Sequence, residues 1–156
     1  MLLWLTVPAA AEEPITLAVF DFELIDTSLE GEVNGPRADE QQRLVMIGEL
    51  LRQKLLDSGR YTLVDLAPQS ERIATAGYRH GCNGCVAEIG RDAGAAQAMA
   101  GTVQKVSNLI LNINLSVWNT ATGEQVRGWS VDIRGNNDES WAHGIKYMVK
   151  NRVLKE

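Results

Sequence analysis

The stretch LILNINLSVWNTATGEQVRGWSVDI, residues 109–133, decides the fold. Leu109, Leu111, Ile113, Leu115 and Val117 alternate with Asn112, Asn114 and Ser116, the pattern of a strand with one buried and one wet face. Read as a three-residue hairpin turn with Gly123 in the left-handed position, Ala121-Thr122-Gly123 sets the register of a second strand. Ile113 then opposes Val131, Leu115 opposes Trp129, Asn112 meets Asp132, Asn114 meets Ser130, and Trp118 meets Val126. A two-residue loop would place Trp129 opposite Asn114 and mix the faces, so the longer loop is preferred. The outer face then carries Asn112, Asn114, Trp118, Ser130, Asp132 and Arg134. A partly exposed aromatic among amides and charges is a reasonable protein-docking surface.

Outward from this hairpin, residues 137–154 place Trp141, Ile145, Met148, Val149 and Val153 at helical spacing. Asn136 is read as N-cap, with Glu139 completing a capping box. Upstream, residues 97–106 read as a strand, and residues 15–23 (ITLAVFDFE) read as a single strand covered on both faces. Residues 39–58 are the most secure helix, with Leu44, Ile47, Leu51 and Leu55 in one stripe and Gly59 placed to end it. Residues 60–66 return as a strand, and two short helices lie before Gly94. The segment 26–37, poor in apolar residues, reads as a mobile rim loop bearing Glu30 and Glu32. The order β-α-β-α-β-β-β-α predicts an α/β (α+β) fold, a mixed sheet with helices packed mainly on one face.

Composition agrees with one such domain over residues 12–156. The chain has 156 residues, 45% of them apolar and 22% charged, with 15 Lys and Arg against 20 Asp and Glu, a net charge of −5. That balance disfavours nucleic acid and anionic membrane as partners. Residues 1–7 (MLLWLTV), followed by Pro8 and three alanines, resemble the end of a secretory signal cleaved after Ala11. No cysteine stands at that point, which disfavours a lipid anchor, and no other stretch is long enough to span a membrane. Export to the periplasm is expected.

Cys82-Asn83-Gly84-Cys85 is the sharpest local feature. In an oxidising compartment such a pair favours an intramolecular disulfide. A redox-active pair at a helix N-terminus, or weak metal binding with His80, Cys82 and Cys85 as ligands, remain alternatives. Haem attachment is excluded because Val86 stands where histidine is required. The segment 132–139 is rich in oxygen ligands but lacks the spacing of a calcium loop. With two histidines, no nucleophile elbow and no phosphate-cradling loop, enzymatic activity is not expected and no cofactor is called for.

The segments LLDSGRYTLVDLA (55–67) and DAGAAQAMAGTVQKVSNLILNINLSVWNTATGEQV (92–126) resemble the α/β module shared by the amino-terminal domain of TolB, the curli secretion channel CsgG and the lipoprotein activators of peptidoglycan synthases. This resemblance covers roughly residues 15–133 and implies a docking platform without catalytic residues. The segments FDFELIDTSLEGE (20–32), CNGC (82–85) and VDIRGNNDESW (131–141) more closely resemble a family of small exported bacterial proteins of unknown function. That second resemblance implies association with periplasmic quinoprotein dehydrogenases and cytochromes c. Together they point to an exported, non-enzymatic accessory module with a periplasmic protein partner; a thiol-disulfide or metal-handling protein is the alternative.

Overall fold

A computed structural model of the chain describes residues 11–155. The leader read over residues 1–11 therefore lies, except for Ala11, outside the described residues.

The hairpin consists of β5 (Ile110–Asn119) and β6 (Gln125–Ile133), antiparallel, with Asn112 opposite Asp132, Ile113 opposite Val131, Asn114 opposite Ser130 and Leu115 opposite Trp129. The expected pairing of Trp118 with Val126 does not form. Asn119, not Thr120, pairs with Glu124 across the turn, because the Asn119 side-chain oxygen accepts the Ala121 and Thr122 N–H groups while Thr120 turns inward onto the Ala95 and Ala96 carbonyls. A bulge then restores the register: Trp118 opposes Gln125, Val117 opposes Arg127, and Val126 is left as the extra residue. Gly123 takes the left-handed backbone the turn requires, at φ 75°. Leu109 leaves the buried row; it belongs to the turn before β5 and is exposed.

The other strands are β1 (Ile15–Val19), β2 (Glu23–Asp26), β3 (Tyr61–Leu63) and β4 (Gln97–Ser107). The sheet order is β3-β1-β4-β5-β6, and β2 also pairs with β4, beyond the end of β1. β4 runs parallel to β1 and β2 and antiparallel to β5. The single strand expected over residues 15–23 is thus two strands in line. Val19 opposes Met99 and Glu23 opposes Thr102, so the three residues Phe20 to Phe22 span the two positions of Ala100 and Gly101. That extra residue lets Phe22 lay its ring over Gly101, where a β-carbon would fall 2.3 Å from the ring. It also reverses which side chains of β2 face inward, bringing Asp26 opposite Lys105.

Helices lie on both faces, with the two long ones on one side. α2 (Ala38–Asp57) and α5 (Asp138–Met148) pack on the inner face with the row Leu111, Ile113, Leu115 and Val117, and the predicted stripe from Trp141 to Val153 is buried there. After Met148 the last turn widens to a π-helix through Val153. On the outer face α3 (Ser70–Ala76) and α4 (Cys85–Asp92) form a smaller core with Ala18, Phe20 and Ala98, α4 lying over β1, β4 and the Trp118 end of β5. Three further expectations are corrected. The rim loop contains a short helix, α1 (Leu29–Asn34), capped by Ser28. The N-cap of α5 is Asn137, whose side chain accepts from the Ser140 N–H, because Asn136 is engaged elsewhere. The strand read at 60–66 is only Tyr61–Leu63, since the Asp65 carboxylate accepts the Ala67 N–H and turns the chain away from β1 into the helical turn at Ala67–Gln69.

Gly144 lets α5 approach the sheet: a β-carbon there would lie 2.5 Å from Ile133 Cγ2 and 3.0 Å from Ile113 Cδ1. On an exposed helix, Gly to Ala stabilises by about 1 kcal/mol, whereas overpacking costs about 1–3 kcal/mol. Because the opposing atoms sit on β-branched side chains of a paired strand, the second effect wins. Gly144→Ala is expected to lower the urea midpoint; an increase would show that the helix can shift to admit the methyl.

Candidate docking face and polar end

Even-numbered side chains of β5 face away from the long helices. Asn112 and Asn114 are half-buried, and the amide of Asn112 donates to Asp132 at 2.7 Å while its oxygen accepts the Ser130 hydroxyl at 3.0 Å. This cross-strand ladder holds three of the predicted side chains in fixed rotamers on an otherwise open surface. Asn114 borders both a shallow depression beside Ser130 and a cleft of about 260 Å³ near Trp118. Trp118 stands apart from the polar group, six residues from Asn112 on the same strand, roughly 20 Å at the usual rise. It is half-buried against the smaller core, with Ala100, Cys82 and Cys85 among that core's neighbours. Arg134 leaves the row altogether. It lies past the end of β6 and lines a groove of about 420 Å³ with Glu139 and His143 of α5.

Cys82 and Cys85 form a disulfide with Cα atoms 5.7 Å apart. Gly84, in the left-handed conformation, turns the chain so that Cys85 begins α4. His80 faces Glu23 instead of the sulfurs: its Nδ1 lies 2.8 Å from Glu23 Oε2, and the backbone N–H groups of Arg79 and His80 donate to the two carboxylate oxygens at 2.7 and 3.0 Å. Burial opposes ionisation of Glu23, but these donors and the Arg79 charge outweigh it and hold the carboxyl below its usual range. Among the described residues no group of histidine, cysteine and acidic side chains is placed to hold a metal ion.

The polar cluster that sequence reasoning missed lies at the far end of β4. Lys105 is fully buried, and its Nζ donates to Glu40 at 2.6 Å, Glu30 at 3.0 Å and Asp26 at 3.3 Å. Glu40, also fully buried, accepts from the Asn136 amide at 2.6 Å. Asn136 donates in addition to Asn108, and its oxygen accepts from the Trp141 indole at 3.1 Å. Asn108 donates to Glu30, and Arg37 bridges Glu30 and Asp39. Arg43 pairs with Asp39 and Asp138. Five carboxyl groups thus meet three cations. Burial alone would depress the Lys105 ammonium, but the hydrogen bonds to Glu40 and Glu30 hold its pKa above the usual lysine value. Asp26 is kept low against its own burial by Ser28 and Lys105, and Glu30 by Lys105 and Asn108. Two signals were available in the sequence: Lys105 falls on the inward parity of β4, and Glu40 continues the buried α2 stripe one turn before Leu44.

The profile of the family described as "Protein of unknown function (DUF2380)" matches residues 15–153. This chain belongs to that family. The match spans the bulged β1–β2 pair, the disulfide and the hairpin. No curated protein sequence matches the chain significantly. Among solved structures, the family member resembles the LpoB C-terminal domain from Salmonella enterica at 18% identity and a TM-score of 0.56, over 80% of this chain and 86% of that one. It resembles the lipoprotein GNA1162 from Neisseria meningitidis at 14% identity and a TM-score of 0.53, over 92% and 99%. TolB from Acinetobacter baumannii, at 11% identity over 94% of this chain and 30% of that one, reaches a TM-score of only 0.47. The likenesses above that level show a shared fold, and among the described residues no helix is long and apolar enough to cross a membrane.

Removing one partner of a buried ion pair costs about 3–5 kcal/mol, whereas replacing both by apolar residues is often neutral. Lys105→Met is therefore expected to unfold at markedly lower urea, and Lys105→Met with Glu40→Leu to recover most of the loss; equal midpoints for Lys105→Met and the parent chain would show the cluster to be ornamental.

Asp26, Glu23 and Glu30 have folded pKa values below their unfolded ones, so their contribution is present above about pH 4 and is lost as the pH falls through the folded values. Lys105 contributes below about pH 10 and is lost as the pH rises through its higher folded value. Urea titrations across pH should show both limbs, with the acid limb shallower in Asp26→Asn; an unchanged acid limb would remove Asp26 from the linkage.

Proposed function

We propose that this chain is an exported, non-enzymatic docking module of a periplasmic protein assembly. One observation carries the reading: among the described residues the outer face of β6 and of the Asn112 end of β5 has no helix over it, while α4 covers the same face of β1, β4 and the Trp118 end of β5. Its side chains are set in place by the Asn112–Asp132–Ser130 ladder, so ordering costs on binding are small. The fold shared with the LpoB domain and the lipoprotein GNA1162 supports an envelope setting, as does the signal-like sequence before Glu12. The family resemblance carried by residues 20–32, 82–85 and 131–141 makes a quinoprotein dehydrogenase and cytochrome c system the favoured assembly.

The alternative, thiol-disulfide exchange, draws on one feature: Cys85 is the first residue of α4, where the helix dipole favours a thiolate. Against it, both sulfur-bearing residues pack on the smaller core, as a structural staple would.

Affinity purification from periplasm with a photo-crosslinker at Ser130 should recover a defined partner, with the yield reduced by Asp132→Ala and Trp118→Ala. Absence of any adduct in the parent chain overturns the docking reading. Alkylation and mass spectrometry after incubation with glutathione should leave Cys82 and Cys85 bridged; rapid reduction at the cytosolic glutathione poise would favour exchange chemistry instead.

A further inference from the structure

α1 is a helix built inside out. Its residues Glu30 and Gly31 face the protein, Glu30 reaching the buried Lys105 and Asn108, while a β-carbon on Gly31 would lie 2.3 Å from the Asp26 carboxylate. Its apolar residues Leu29 and Val33, one turn apart, point away from the protein and are 74% and 72% exposed. No residue of α1 is buried. Ordinary surface helices do the opposite, turning their apolar stripe to the core. The neighbouring β4–β5 turn repeats the arrangement: Asn108 donates inward to Glu30, while Leu109 of the turn and Ile110, the first residue of β5, are 73% and 58% exposed. Four large apolar side chains therefore stand on two elements tied together by one hydrogen bond, at the end of the sheet opposite Ile15. Scattered exposed residues need no explanation, but a grouped set on polar-anchored supports marks a contact surface.

The charge around this set decides what it can contact. Five carboxyl groups surround it against Arg37, Arg43 and Lys105, Glu32 on α1 adds another exposed carboxylate, and Arg134, just past β6 beside Ile110, adds an exposed cation, a formal surplus of two negative charges. A second copy would bring the same charges face to face, and an anionic lipid surface would be repelled. We infer that the end formed by α1 and the β4–β5 turn is a second interaction surface, which takes an apolar segment flanked by lysine or arginine from a partner protein. This surface meets the outer sheet face at Ile110, next to Asn112 on β5, but uses none of the Asn112–Asp132–Ser130 ladder.

Fluorescence anisotropy on the full chain tests the inference with two labelled peptides of equal length, one an amphipathic leucine–lysine helix and one carrying glutamate in place of each lysine. The lysine peptide should bind at least about tenfold tighter, a difference of about 1.4 kcal/mol. Leu29→Ser with Val33→Ser should remove most of that binding, and so should Leu109→Ser with Ile110→Ser, whereas Trp118→Ala should leave it intact. The substituted side chains are exposed, so urea midpoints near that of the parent are expected, and the two pairs on separate elements guard against local unfolding of one. Equal affinity for both peptides, or binding insensitive to both pairs of substitutions, overturns the inference. So does a parent dimer that Leu29→Ser with Val33→Ser converts to monomer, which would make the occupant a second copy. Flotation with phosphatidylcholine vesicles that the same variant abolishes would make it a lipid surface and overturn it likewise.

Discussion

The Lys105 ammonium has no path to water, and one end of the molecule is arranged to make that tolerable. A buried cation costs several kcal/mol unless its protons all find acceptors; here Glu40, Glu30 and Asp26 provide three. Each acceptor comes from a different element, so the ammonium fixes their relative positions. β2 must carry Asp26 on its inner side, α1 must start immediately after it, and α2 must present Glu40 in its first turn. Asn136 then closes the group from the loop before α5 and holds the Trp141 indole. The bulge at Phe20–Phe22 belongs to the same constraint, since without its extra residue an outward side chain of β2 would oppose Lys105.

What could be read from residues alone follows the source of stabilisation. The hairpin faces, the α2 stripe and the stripe from Trp141 to Val153 arise from apolar burial, which leaves a periodic trace in sequence. The turn at Asn119 departs from the three-residue loop that alternation suggests because four side-chain hydrogen bonds, two accepted by Asn119 from its own loop and two donated by Thr120 to Ala95 and Ala96, outweigh it. α1 leaves no periodic trace because nothing about it is apolar on the inside; its anchor, Lys105, lies 75 residues away from Glu30. Asn136 looked like a helix cap, and its neighbour Asn137 takes that role because a buried carboxylate at Glu40 competes for Asn136. Of the outer-face set, the polar ladder was legible from the register, whereas the departure of Arg134 depends on where β6 ends.

The two surfaces differ in kind. The outer sheet face is flat, polar and prearranged, and Trp118 at its other end is already committed in part to the smaller core. The α1 end is apolar in its outward contacts and acidic around them. A partner engaging both would run along β5, where Ile110 of one surface stands two residues from Asn112 of the other, rather than along the opposite edge of β2. That edge is itself free of a neighbouring strand among the described residues, and a cleft of about 570 Å³ runs beside it.

Strand β4 has its own implication for how the chain comes together in time. It lies between every other central strand, yet it begins at Gln97, so β1 and β2 wait for roughly eighty intervening residues before they can pair with it. Long-range parallel pairing of this kind is slow to nucleate. A polypeptide synthesised amino end first therefore lacks the strand at the centre of its sheet until more than half of its length has been made.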